Sequence, residues 1–70
     1  MTKGYKTYLK LKDEGWTFVH EAAYHGYKSA GTISPMNSKG GFEYCRIHQG
    51  KSVGSSHKYQ LTTVMKRSEV

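Results

Sequence analysis

The high share of aromatic residues among few hydrophobic ones is the feature that most limits how this chain can fold, because we expect its core to rely on aromatic side chains. One Trp, two Phe and six Tyr are present, whereas hydrophobic residues of all kinds make up 36% of the 70 residues. A chain of this length is near the lower size limit for folding without a disulfide or a metal, and disordered segments rarely carry so many rings. We therefore predict one small domain over residues 1–70, with a thin core and a tail that is loosely ordered from about residue 66.

Residues 2–13 have the pattern of an N-terminal helix. The side chains that follow the i, i+3, i+4, i+7 spacing of one helix face are Tyr5, Tyr8, Leu9 and Lys12. Lys3, Lys6 and Lys10 would then lie together on the opposite face. Thr2 is suited to cap the start of this helix, and Gly15 is suited to end it.

Three later segments alternate between apolar and polar residues, as strands do: Trp16–Ala23, Phe42–Gln49 and His57–Met65. In the first of them, Phe18 and His20 are predicted to share a face. The stretches between the strands contain Gly, Ser and Asn, and Met36–Gly41 in particular is predicted to be a loop. Residues 32–34 could add a short extended piece before Pro35.

These elements predict an α+β fold in which one N-terminal helix packs on a three-stranded antiparallel sheet. The alternative follows from a second pattern in residues 2–13. Tyr5, Thr7, Leu9 and Leu11 also alternate there, and residues 13–15 could form a hairpin turn. A strand in place of the helix would make the fold a small all-β barrel.

The strong positive charge indicates a polyanionic partner. The formal net charge is +6 and the isoelectric point is near 9.6. Nucleic acid is the commonest polyanion inside a cell, and an acidic protein surface is another candidate, unless the charge serves solubility alone. Phosphate contacts need charge but little geometry, so they require only that the cations gather on one surface. The candidate nucleic-acid-binding residues are Lys3, Lys6, Lys10, Tyr24, Tyr27, Lys28, Arg46, Lys51 and Lys58.

One face of the second predicted strand combines rings with a cation. Alternation places Phe42, Tyr44, Arg46 and His48 on the same side. Aromatic rings beside a cation on an open sheet are what single-stranded bases stack on. Because aliphatic residues are scarce, Phe42 and Tyr44 could instead belong to the core.

The single cysteine predicts a reducing compartment, and we expect a cytoplasmic protein. No apolar run suited to a signal peptide or a membrane span follows the basic N-terminus. Cys45 and His48 have the two-residue spacing of half a zinc site, but on a strand they would point to opposite faces. We predict no metal and no cofactor.

The segment Gly54-Ser55-Ser56-His57-Lys58-Tyr59 resembles the Gly-Ser-His-His-Lys-Tyr stretch of HicA-type mRNA interferase toxins. The segment Leu11-Lys12-Asp13-Glu14-Gly15-Trp16 also looks like the end of their first helix. The resemblance implies a double-stranded-RNA-binding-like fold and a ribonuclease in which His57 is the general acid or base.

The main functional hypothesis is a non-enzymatic nucleic-acid-binding module with no catalytic residues. One alternative is a small basic inhibitor or adaptor, encoded by a phage or another mobile element, that binds an acidic surface of a host nucleic-acid enzyme. Another is a ribonuclease toxin that uses His57. No prediction of oligomeric state, or of DNA against RNA, follows from the residues.

Overall fold

The chain folds as one helix followed by four strands. The computed structural model describes residues 1–55 and 58–69. In chain order the elements are α1 (Lys3–Asp13), β1 (Thr17–His25), β2 (Ile33–Lys39), β3 (Phe42–Ser52) and β4 (Tyr59–Ser68). The strands form an antiparallel open sheet in the order β1-β4-β3-β2. The α+β class and the N-terminal helix are confirmed, whereas the predicted strand number of three and the alternative barrel are wrong.

Local capping explains where α1 begins and ends. The Thr2 hydroxyl accepts a hydrogen bond from the Tyr5 backbone N–H at 3.1 Å, which satisfies one of the unpaired donors of the first turn. At the other end, Gly15 adopts a φ of 99°, and its N–H donates to the Lys12 carbonyl. This left-handed conformation favours glycine, so both sequence signals act as predicted.

The face that α1 turns toward the sheet differs from the predicted stripe. Tyr5 and Leu9 are 49% and 39% exposed, while Gly4 and Leu11 are buried. A Cβ atom at Gly4 would overlap the Gln49 side chain, so the glycine allows α1 to lie close against β3. Leu11 packs in a cluster with Cys45, Ile47 and Met65, flanked by Tyr8 and Trp16. The core therefore consists mainly of aliphatic and sulfur-containing side chains, with the rings of Tyr8 and Trp16 beside it, and does not rest on aromatic rings as predicted.

The two sides of the sheet are unlike each other. We call the side that α1 covers, with Cys45, Ile47 and Met65, the helix face. The opposite side, with Tyr44, Arg46 and Val64, is the open face, because side chains alternate along each strand. Residues that are directly paired on neighbouring strands point to the same side of the sheet, so the pairing assigns the remaining strand residues to the helix face or to the open face.

Strand β2 (Ile33–Lys39) includes residues 36–39, where a loop was predicted. Its Met36 pairs with Tyr44 and its Lys39 with Phe42 of β3. The breakers that suggested a loop are tolerated because β2 is an edge strand, where Pro35 costs no central ladder hydrogen bond. A turn at Gly40 and Gly41, both with positive φ, joins β2 to β3.

A bulge in β1 breaks the predicted alternation. Phe18 pairs with Met65 and His20 pairs with Val64, so Val19 is an extra residue between two successive partners. Phe18 therefore lies on the helix face and His20 on the open face, and the prediction that they share a face is wrong.

Strand β4 continues past the point where a loose tail was predicted to begin. Lys66, Arg67 and Ser68 pair with Tyr44, Glu43 and Phe42 of β3. These three residues are ordered by the ladder to the central strand. Within residues 1–55 and 58–69, no helix is long and apolar enough to cross a bilayer.

Candidate functional site

The structure divides the predicted nucleic-acid-binding residues between two sides of the molecule. Lys3, Lys6 and Lys10 are exposed on α1, whereas Arg46 and Tyr24 belong to the open face. The others lie near the ends of the sheet: Tyr27 and Lys28 in the β1–β2 connection, Lys51 near the end of β3, and Lys58 just before β4. The expectation that all the cations gather on one surface is therefore wrong, because the sheet separates the helix lysines from Arg46.

The carboxylates are also distributed unevenly. Glu21 pairs with Thr63 and Glu43 with Arg67, which places both on the helix face. Arg67 donates from Nε to Glu43 Oε1 at 2.7 Å and forms an ion pair with it. Asp13 lies at the end of α1, and no carboxylate in the described parts of the four strands points to the open face. The open face is consequently the more uniformly positive side of the sheet.

One end of the open face holds a fixed arginine above a ring. The Arg46 guanidinium carbon lies 5.3 Å from the centre of the Tyr24 ring. Arg46 Nη1 also donates to Thr62 Oγ1 at 2.9 Å, and the Thr62 hydroxyl donates to the Ala22 carbonyl at 2.8 Å. The guanidinium has five N–H donors in a rigid fork, so this anchoring leaves others available to a phosphate or a base edge.

A buried histidine, His48, packs against the Tyr24 ring at this end of the open face. His48 has 0% of its surface exposed, its Nε2 lies 2.8 Å from Ser34 Oγ, and its ring meets the Tyr24 ring edge-on at 4.9 Å. Burial lowers the pKa of His48 below its ordinary value, and the nearby positive charges of Lys28 and Arg46 lower it further. His48 is thus a neutral residue packed against Tyr24, on the strand face that alternation predicted for it.

The other end of the open face repeats the combination of a ring and a cation. Lys66 Nζ lies 4.5 Å from the centre of the Phe42 ring, and Lys39 is the cross-strand neighbour of Phe42 on β2. Phe42 and Arg46 are four residues apart on β3, which is roughly 13 Å along the strand. Neither Lys66 nor Lys39 was in the predicted set of binding residues, and the residue pattern predicted a tail at Lys66 and a loop at Lys39.

A trough of about 370 Å³ lies between these two ends. Val64, which is 2% exposed, contributes to its base. The remaining lining residues are Val19 and His20 from β1, Met36, Asn37 and Lys39 from β2, and Tyr44 from β3. The trough thus combines an apolar floor with polar groups supplied by the two edge strands.

The helix face has a cleft of its own, of about 430 Å³, between α1 and strands β1, β3 and β4. Tyr5, Tyr8 and Phe18 line it together with two opposite charges, Glu21 and Lys51. Although this cleft is larger than the trough, Glu21 opposes the binding of a phosphate there.

Cys45 and His48, the pair considered for metal binding, do not lie together. Cys45 lies on the helix face and His48 on the open face, as their spacing on a strand predicted. Burial raises the pKa of the Cys45 thiol to about 11, so the thiol is protonated at neutral pH. His57, the residue implied by the resemblance to HicA-type toxins, lies outside the described residues.

Comparison of the chain with protein-family models, curated proteins and solved structures found no match.

Proposed function

We propose that the protein is a non-enzymatic module that binds nucleic acid across the open face of its sheet. The observation that carries the proposal is a pair of ring–cation contacts, Arg46 over Tyr24 and Lys66 over Phe42, on a face to which no carboxylate of the described strands points. No helix among the described residues covers this face, so a partner can reach it.

Two kinds of interaction would contribute to binding at this face. Cations that neutralise phosphates release counterions, and this makes affinity depend steeply on salt concentration. Rings that stack on bases contribute about 1–3 kcal/mol per base without demanding a particular sequence. Arg46 and Lys66 supply the first kind, and Tyr44, Phe42 and Tyr24 supply the second.

The helix side supports the proposal less well although it has more lysines. Lys3, Lys6 and Lys10 are solvated, but the same side of the molecule includes Glu21 and Glu43. Carboxylates repel a polyanion, so the positive electrostatic potential on the helix side is weaker than the number of lysines suggests. The helix lysines would add long-range attraction rather than specific contacts.

A charge-matched pair of variants tests the proposal. Binding of fluorescent oligonucleotides of about ten nucleotides, a length in the range covered by small β domains, is measured by anisotropy over a series of salt concentrations. Lys66→Gln is expected to weaken binding and to reduce the slope of log K against log salt by about one, whereas Lys6→Gln leaves both nearly unchanged. Each variant removes a single positive charge, so the comparison isolates position from total charge.

Two results would contradict this assignment. Absence of binding at low salt excludes nucleic acid as the partner. Equal losses of oligonucleotide affinity in Lys66→Gln and Lys6→Gln would mean that net charge alone drives binding and that the open face has no special role. Gel analysis of the RNA recovered from the same samples tests the ribonuclease alternative, since intact RNA is expected from a binding module.

A further inference from the structure

We propose that the trough on the open face receives an unpaired base, which makes single-stranded nucleic acid the ligand class rather than a duplex. This inference rests on the proposed function and goes beyond it, because phosphate contacts alone would not distinguish the two. It assigns a role to Asn37, and it places the Tyr44 ring, proposed above to stack on bases, at one particular base-binding site.

The position of the trough supports this inference. It lies between the two ring–cation contacts, so a strand whose phosphates met Arg46 at one end and Lys66 or Lys39 at the other would pass over it. The separation of roughly 13 Å along β3 leaves room between the two ends for more than one nucleotide of a single strand.

The lining of the trough matches the surface of a nucleobase. A base has flat apolar faces and an edge of hydrogen-bonding groups. Val64 and Met36 offer apolar surface, and the half-buried Tyr44 offers a ring, while the exposed Asn37 and His20 offer donors and acceptors at the two sides. The volume of about 370 Å³ is within the range of sites that hold small organic ligands.

A duplex cannot use the trough in this way. Its bases are stacked on one another, and their Watson–Crick edges are occupied by their partners, so entry would require the cost of unpairing and unstacking. A single strand presents both the face and the edge of each base. We therefore expect the protein to bind a single strand more tightly than the duplex of the same sequence, by about tenfold or more at equal salt, if one stacked base is gained.

A ring-removing variant separates base stacking from phosphate attraction. Tyr44→Leu keeps an apolar side chain and leaves the charge unchanged. It should weaken single-strand binding by about 5- to 100-fold without altering the salt slope. Tyr5→Leu is the matched control, because Tyr5 is an exposed ring on the helix side of the molecule and its loss should change neither quantity.

Asn37→Ala is a second variant, and it should not disturb the core, because Asn37 is exposed on an edge strand. It should weaken single-strand binding and change the preference among homopolymeric strands, while duplex binding stays the same. Circular dichroism of both variants, recorded before the titrations, checks that the fold is intact.

The outcomes for this inference and for the proposed function are distinct. If neither single strand nor duplex binds, the proposed function fails. If both bind equally, or if polyphosphate or an acidic peptide competes as well as the single strand at equal charge, the protein is a general anion binder and the base-binding trough is wrong. Unchanged single-strand binding by both Tyr44→Leu and Asn37→Ala would overturn it as well.

Discussion

At the scale of single residues, His48 determines how the open face is organised. The His48 ring is fully buried against Tyr24 and lies within hydrogen-bonding distance of Ser34. The Arg46 guanidinium lies over the Tyr24 ring. A charged imidazolium at this position would have to lose its hydration beside two existing cations, Lys28 and Arg46. The position therefore requires a neutral ring, and histidine meets that requirement only above its pKa.

Stability should consequently fall in mildly acidic solution. The unfolded chain binds a proton at His48 near pH 6.5, whereas the folded chain resists protonation because its pKa is lowered. The unfolded state thus holds more protons below that pH, and the free energy of unfolding should decrease as the pH drops from about 7 toward the folded pKa. Urea unfolding at a series of pH values measures this change.

The comparison variant is His48→Gln, which should lose this part of the pH dependence, while the exposed His20→Gln should keep it. If His48→Gln does not fold, an NMR titration of the His48 ring in the parent protein gives the same information. A folded-state pKa at or above the ordinary value would contradict the expectation.

At the scale of secondary-structure elements, the packing of α1 on the sheet decides which helix side chains are buried. Leu11 packs in the cluster and Gly4 lies against the amide end of Gln49 on β3, while Tyr5 and Leu9 remain outside. Helix propensity alone would disfavour a glycine in the first turn. Local conformation therefore does not explain the glycine, whose neighbour on the sheet is the Gln49 side chain.

Replacing Gly4 tests which effect is larger. Gly4→Leu should improve the intrinsic helix propensity by up to about 1 kcal/mol, yet the added side chain would have to displace the amide end of Gln49, which donates to Thr63 Oγ1. We expect a net loss of about 1–3 kcal/mol in the free energy of unfolding, the usual cost of overpacking. Chemical denaturation measures it, with Lys6→Leu as the control on the exposed side. A Gly4→Leu protein as stable as the parent would show that α1 is held loosely.

At the scale of the whole molecule, unbalanced charge opposes folding. The net charge is +6 on 70 residues, and the ion pair between Arg67 and Glu43 is at the surface, where such pairs contribute little. Repulsion among the remaining cations raises the free energy of the compact state. The same repulsion is what a bound polyanion would relieve.

Added salt should therefore increase the free energy of unfolding of the protein. Raising the ionic strength to about 1 M shortens the screening length from about 10 Å at 0.1 M to about 3 Å, which weakens repulsion between separate cations. Thermal unfolding in increasing sodium chloride should show a rising melting temperature. A Lys3, Lys6 and Lys10 to Gln variant should be more stable at low salt, by a few tenths of a kcal/mol per charge, and less sensitive to salt. A melting temperature that decreases with salt would contradict this view.

The residue pattern by itself determined the elements whose signals are local. Thr2 and Gly15 bound the helix because capping depends on neighbouring backbone groups. The alternation of Tyr44 and Arg46 against Cys45 in β3 follows from a side-chain period of two. These features need no knowledge of distant parts of the chain.

Only the tertiary structure decided which residues share the open face. Asn37 lies on a strand because β3 offers an edge for it to pair with, and Lys66 is ordered by the same strand from the other side. The bulge at Val19 sends His20 to the open face and Phe18 to the helix face. The physical reason is that pairing and register depend on partners far along the chain, so a pattern of neighbouring residues cannot specify them.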